Sequence, residues 1–404
     1  MRLLPPSAGP ETRLLLSARA LRAAADGFVS IVLPAYLLLL GLDPLTIGVI
    51  ATATLLGSAA VTLGVGLAAA RLERRRTLLA AAMLMALTGI AFASSSSFWP
   101  LLMVAFVGTL NPSAGDVSLF LPLEQSLLTH GVAADERTAL FARYSLIGAG
   151  CGAFGTLLAG LPDLAPAWGI DGLVALRALF VLYAVVGLAV WLIYRQLPTM
   201  PLDQQRPAAP LGPSRRIVYR LAALFSVDSF AGGLVVQSLL ALWLFQAFGL
   251  SLAATARLFF WAGLLTALSQ LAAPALARRI GLINTMVFTH LPANCCLIAV
   301  PFVSELWQAI ALLLVRSLLS QMDVPARTSY VMAVVTPAER AAAASLTAVP
   351  RSLASALGPT IAGWLLTLSA FGWPLLNAGA LKAGYDLTLL AQFRHLRPPE
   401  EREP

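Results

Sequence analysis

Apolar runs of about 20 residues, the length an α-helix needs to cross a hydrocarbon layer, recur twelve times along this chain. They fall near residues 16–41, 45–70, 77–95, 98–127, 138–161, 173–195, 217–248, 254–276, 283–303, 306–335, 341–369 and 373–393. Polar residues are gathered mostly into the short breaks between the runs. The pattern predicts an all-α integral membrane protein with twelve transmembrane helices. One connection is long and polar: Gln196 to Arg216 holds Pro198, Pro201, Pro207, Pro210 and Pro213, the composition of a linker. It predicts a first bundle over 1–195, a cytoplasmic linker over 196–216, and a second bundle with a short tail over 217–404.

A repeat supports the same division. Pro122, Glu124, Glu136-Arg137, Gly155 and Gly160 are answered 203 positions later by Pro325, Arg327, Glu339-Arg340, Gly358 and Gly363. Asp26-Gly27-Phe28 is echoed by Asp228-Ser229-Phe230, and Gly41-Leu42 by Gly249-Leu250. Markers that hold one spacing over almost forty residues indicate a duplicated unit, hence two pseudo-symmetric six-helix bundles.

Composition agrees. Hydrophobic residues make up 59% and charged residues 11% of the chain, and the mean hydropathy is +0.82. A soluble domain carries roughly 25% charged residues, so the solvent of this surface is lipid. The formal charge of +8 comes from 26 Arg and the single Lys382. These cations sit largely in short loops, which argues for membrane orientation and against nucleic-acid binding. Loops after even-numbered runs hold Arg71, Arg74, Arg75 and Arg76, then Arg137, Arg206, Arg215, Arg216, Arg278, Arg279 and Arg340. The opposite loops hold Asp43, Asp163, Asp171 and Glu305, with Arg257 as their one clear cation. Both termini are therefore expected in the cytoplasm, with the first run as an uncleaved insertion signal in a bacterial-type inner membrane. Cys151, Cys295 and Cys296 lie in apolar runs, without disulfide or zinc spacing.

Candidate chemistry lies in ionisable residues inside the runs, since each costs at least ~2.5 kcal/mol at the bilayer centre and must face protein or water. Asp26, Arg316 and Arg351 fall near mid-depth and Asp228 somewhat nearer the cytoplasm. With Asp116, Asp26 and Asp228 are candidates to bind a solute or a proton, and Arg316 and Arg351 to attract an anion. Glu124, Arg143, Asp323 and Arg327 fall in the cytoplasmic third, where ion pairs between the halves would close an inner gate. Asn111-Pro112-Ser-Ala-Gly115-Asp116 and Gln321-Met-Asp323-Val-Pro325 predict broken helices in matching places, a pointer to a binding region or a hinge. Small residues at Gly148, Gly150, Gly152, Gly155 and Gly160, and again at Ala354, Ser355, Ala356 and Gly358, predict close helix contacts. Lys382 and Asp386, four apart, read as a self-neutralising pair. Met286, His290, Cys295 and Cys296 read as packing rather than as a metal route. There is no His-Glu-x-x-His zinc site and no phosphate-binding Gly-x-x-x-x-Gly-Lys loop, so neither an enzyme nor a cofactor is expected. Fragments of an intramembrane aspartyl protease occur in scrambled order.

Twelve runs in six plus six, a central linker and Gly66, Arg71, Arg74 and Arg75 in a basic loop after the second run resemble the major facilitator superfamily. Ala70 and Glu73 stand where that family's loop motif has an Asp and a Gly. The resemblance implies a monomeric secondary transporter working by alternating access, with substrate bound between the halves and protons and lipid as its other partners. It also implies that most of the membrane charges line the central cavity, and that Arg71, Arg74 and Arg75 take part in gating. Efflux of a small anionic or amphipathic solute, driven by protons, is the first expectation. An uptake permease for a nutrient, metal or metallophore is the alternative, and a receptor-like or assembly subunit that transports nothing is the third.

Overall fold

The computed structural model describes residues 9–67, 72–113, 119–128, 137–198, 212–336 and 339–394. Every regular element among them is helical. The first part of the chain gives α1 (Pro10–Leu39), α2 (Pro44–Leu67), α3 (Arg74–Ser94), α4 (Phe98–Val107), α5 (Phe120–Leu128), α6 (Arg137–Thr156) and α7 (Gly172–Tyr194). The second gives α8 (Arg215–Gly233), α9 (Gln237–Phe248), α10 (Leu252–Ile280), α11 (Leu282–Ala299), α12 (Leu306–Leu319), α13 (Asp323–Ala333), α14 (Arg340–Leu368) and α15 (Trp373–Phe393).

Nine helical segments among the described residues are long and apolar enough to cross a membrane. The run over 98–127 is not one of them, because it is interrupted between α4 and α5. α14 and α15 are long enough, at 29 and 21 residues, but small residues and Arg351, Lys382 and Asp386 dilute their apolar character. Both sequence-predicted breaks exist: α4 stops at Val107 before the Asn111-Pro112 turn, and α12 gives way to α13 between Leu319 and Asp323. At the first break Tyr183 Oη donates to the Thr109 carbonyl at 2.9 Å, and Asn111 Oδ1 accepts from Ser113 N at 3.1 Å. Side chains thus satisfy unwound backbone that hydrocarbon would not.

The chain divides into two compact units, Met1–Gln205 with Gly249–Phe260, and Arg206–Phe248 with Trp261–Pro404. The linker expected at 196–216 falls mostly outside the described residues. In the first unit, Asp163 Oδ2 accepts from Ala253 N at 2.7 Å and Thr156 Oγ1 donates to the Ala256 carbonyl at 3.2 Å. These bonds draw the opening turns of α10 into that unit.

Each unit contains a close crossing at a repeat-matched glycine. In the first, α1 lies on α6, and a Cβ added at Gly155 would sit 2.1 Å from the Ala24 carbonyl oxygen. In the second, α8 lies on α14, and a Cβ at Gly358 would sit 2.2 Å from the Gly233 carbonyl carbon. The repeat-matched Gly155 and Gly358 therefore do the same job: they let backbones meet where lipid supplies no hydrophobic drive. Away from the crossings, Trp99, Met103, Phe154, Phe288 and Trp307 are largely exposed, as lipid-facing side chains are.

Candidate functional site

In the first unit a buried charge is fully answered. Arg22 on α1 and Glu124 on α5 form an ion pair, and both are buried. Glu124 also accepts from Tyr144 Oη at 2.5 Å and Tyr194 Oη at 2.6 Å. The Arg22 guanidinium lies 4.1 Å from the centre of the Phe120 ring. One carboxylate thus ties α1, α5, α6 and α7 together, with three donors covering a charge that burial would otherwise make costly. Glu124 was expected to reach an arginine of the other half; the cation it holds belongs to its own unit. Asp26 stands one turn after Arg22 and is half-buried, and Arg22 takes Glu124 as its ion-pair partner. Arg143 on α6 has its Nη1 buried without a hydrogen-bond partner among the described residues. In the basic loop Arg75 donates to the Arg195 carbonyl at 2.8 Å, at the C-terminus of α7, where free carbonyls attract a cation. Arg74 opens α3. Asp116 and Arg71 lie outside the described residues.

The second unit holds a larger cluster, built from four helices. Asp228 on α8 receives Lys382 Nζ from α15 at 2.6 Å on Oδ1 and Arg327 Nη2 from α13 at 2.9 Å on Oδ2. Arg327 also pairs with Asp323, one turn earlier on α13. His290 on α11 places Nε2 3.9 Å from Asp228 Oδ1 and Nδ1 2.9 Å from Asp386 Oδ1. Asn294, one turn along α11, donates to Asp386 Oδ2 at 2.8 Å. All of these residues are buried, Asp386 at 0% exposure and Lys382 at 8%. Phe225 and Tyr385 flank the guanidinium of Arg327 at 5.1 and 6.0 Å. Arg351 on α14 is half-buried and donates from Nε to Ser229 Oγ at 3.1 Å, next to Asp228 in sequence.

Three of the residues picked out from sequence, Asp228, Asp323 and Arg327, are thus brought together, with Arg351 adjoining them. Arg316 on α12 is not among their bonded partners; its Nε is buried without a hydrogen-bond partner among the described residues. Asp323, like Glu124, finds its arginine within its own unit. The pairing of Lys382 with Asp386 expected from their spacing is replaced. Lys382 crosses to Asp228, 154 residues away, and Asp386 takes His290 and Asn294. His290 reads from sequence as packing and Asn294 carries no signal of its own there, although they lie four apart in an apolar run, the spacing that puts two polar groups on one helix face. Among the described residues no group of three His, Cys, Asp or Glu side chains converges as a metal site.

The comparisons with known proteins agree with this architecture. The sequence model of the Major Facilitator Superfamily matches residues 15–320. An uncharacterized membrane protein of Saccharomyces cerevisiae is 23% identical over 423 residues, 96% of this chain and 94% of its own. The nucleoside transporter NupG superposes with a TM-score of 0.74 at 14% identity, covering 96% of this chain and 100% of its own. A bacterial homolog of the human lysosomal transporter Spinster, inward-facing and unoccupied, gives 0.70 at 15% identity over 96% of both chains. The human organic anion transporter MFSD10 gives 0.66 at 18% identity, over 95% of this chain and 100% of its own. At these identities the structural likenesses establish the fold.

Proposed function

Because the chain belongs to the Major Facilitator Superfamily, we propose that it is a secondary transporter that moves a small organic solute by proton-coupled alternating access. The observation that carries this reading is the cluster around Asp228: six ionisable side chains, Asp228, His290, Asp323, Arg327, Lys382 and Asp386, buried together in a membrane protein. Each is costly to insert in hydrocarbon, and such residues mark ion and solute pathways. A packed apolar core would stabilise the fold at lower cost than this many buried charges.

An anionic or amphipathic solute is the class we favour. Arg316 has a buried, unpartnered Nε, and Arg351 is bonded through Nε to a serine rather than to a carboxylate; a carboxylate or phosphate suits both. Similarity to an organic anion transporter makes organic anions the first compounds to try, with nucleosides beside them. We assign Asp26 to proton coupling in the first unit and Asp228 to anchoring the cations of the second. The two helix breaks supply hinges.

The test is flux of a labelled compound panel, with organic anions first, in proteoliposomes with and without an imposed pH gradient. Gradient-driven accumulation of at least one compound is expected, and export as the direction in right-side-out cells. Asp26→Asn should abolish gradient-driven flux without lowering protein levels. Flux that ignores the gradient would remove the proton from the mechanism, and wild-type flux in Asp26→Asn would remove Asp26.

A further inference from the structure

We propose that His290 and Asp386 form a buried proton store facing Asp228, and that this pair, with Asp228 as a fixed counter-ion, is the proton-exchanging group of the second unit. The inference deepens the proton-coupled reading and rests on it for its use in transport. It begins from unequal company. Asp228 has a cation on each oxygen, Lys382 at 2.6 Å and Arg327 at 2.9 Å. Asp386, at 0% exposure, has the imidazole of His290 at 2.9 Å and the amide of Asn294 at 2.8 Å. Neither is a permanent charge. A carboxylate facing a neutral imidazole there would be a buried charge without a counter-charge, which proteins avoid by taking up a proton. The neutral form of the pair therefore carries one proton more than that state, as imidazolium with carboxylate or as imidazole with carboxylic acid. Asn294 Nδ2, also 3.2 Å from His290 Nδ1, touches both members of the pair.

The second ring nitrogen gives the store its outlet. Nε2 points at Asp228 Oδ1 from 3.9 Å, the oxygen that Lys382 also holds. In the form with Asp386 ionised and the ring hydrogen on Nδ1, Nε2 holds a lone pair; a proton taken up there gives the imidazolium–carboxylate form, and the new N–H competes with the Lys382 ammonium for Oδ1. Lys382 is then loosened towards a solute anion, and loss of the proton from Nε2 to water returns it to Asp228. The other groups around His290 fit this exchange. From α15, Tyr385 presents its ring edge-on at 6.2 Å beside Lys382. From α13, Arg327 and Asp323 stand behind Asp228 as a closed pair. From α14, Arg351 is held on Ser229. From α12, Arg316 pairs with no carboxylate in the cluster.

The experiment is ring-nitrogen NMR of the full-length protein, labelled with 15N-histidine, in lipid nanodiscs. The chain has three histidines, His130, His290 and His395, and His290→Gln assigns the signal. The His290 ring-nitrogen signals should move in Asp386→Asn, because the carboxyl that faces Nδ1 at 2.9 Å is replaced. His290 signals indifferent to Asp386→Asn overturn the proposal without recourse to any transport assay. In proteoliposomes loaded with a pH-sensitive dye, His290→Gln should lose solute-driven proton movement; movement equal to the wild type overturns its role in coupling. Wild-type protein that moves solute and no protons, while the His290 signals respond to Asp386→Asn as stated, sinks the proton-coupled reading and leaves the pair in place.

Discussion

At the scale of single residues, burial and partner decide what each charge does. Lys382 Nζ lies 2.6 Å from Asp228, and both side chains are buried. Removing one member of a buried pair leaves the other charge uncompensated, at a cost of about 3–5 kcal/mol. Lys382→Met should therefore lower unfolding stability in detergent by about that much, and adding Asp228→Asn should recover part of the loss through coupling of roughly 0.5–3 kcal/mol. A Lys382→Met protein as stable as the parent would mean that the pair does not form. Glu339, at the mouth of α14, is a different case. Its carboxylate accepts from Thr336 and Ser214 hydroxyls, each at 2.7 Å, and from the Gly212 amide. These bonds hold its pKa at about 2, below the ordinary 4.5. A lowered carboxylate pKa stabilises the fold above the unfolded value and loses that contribution as pH falls through the folded one. The melting temperature of Glu339→Gln should thus lie below that of the parent at pH 7, and the gap should narrow as pH falls from 4.5 towards 2. A gap independent of pH would assign the effect to something other than the charge.

At the scale of helices, the glycine crossings and the breaks divide the work. Gly358 on α14 leaves no room for a methyl group, since its Cβ would lie 2.2 Å from the backbone of Gly233. Gly358→Ala forces the helices apart and should cost on the order of 1–3 kcal/mol, as overpacking does. Gly384→Ala on α15 is the control, for nothing lies within 4 Å of its added Cβ; it should be neutral or stabilising by up to about 1 kcal/mol. Thermal unfolding of both variants side by side decides the matter, and equal melting temperatures would refute the crossing. The breaks follow α4 at Val107 and α12 at Leu319. Backbone freed from a helix within a membrane persists where protein covers it, as Tyr183 does at Thr109.

At the scale of the whole molecule, the repeat places different chemistry on a common frame. Glu124 and Arg327 are repeat-matched, yet their charges are opposite. Each takes its partner from the first helix of its unit, Arg22 on α1 and Asp228 on α8. The acid of the first unit is covered by an arginine and two tyrosines. The acids of the second share their cations and end on a histidine. A satisfied network rigidifies, whereas one that rests on a titratable group responds to protons. The proposed proton store lies in the second unit, on α11 and α15, beside the role proposed for Asp26 on α1.

What this chain determines through its sequence alone is its solvent and its grammar. Lipid demands backbone that satisfies itself, so long apolar runs become helices, and the segments at Asn111-Pro112 and 320–322 interrupt them. The repeat is legible because it is carried by residues whose roles are local: glycines at crossings and acids and arginines at helix ends. The tertiary structure decided the partners. Lys382 and Asp386 share a helix face, yet Lys382 spans 154 positions to Asp228 and Asp386 turns to His290. Arg22, one turn from Asp26, reaches across 102 positions to Glu124. Sequence gives the depth of a charge along its helix. Which neighbouring helix stands opposite, and how each is rotated, follows from packing across the unit, and buried charges settle on the counter-charge that this packing brings within reach.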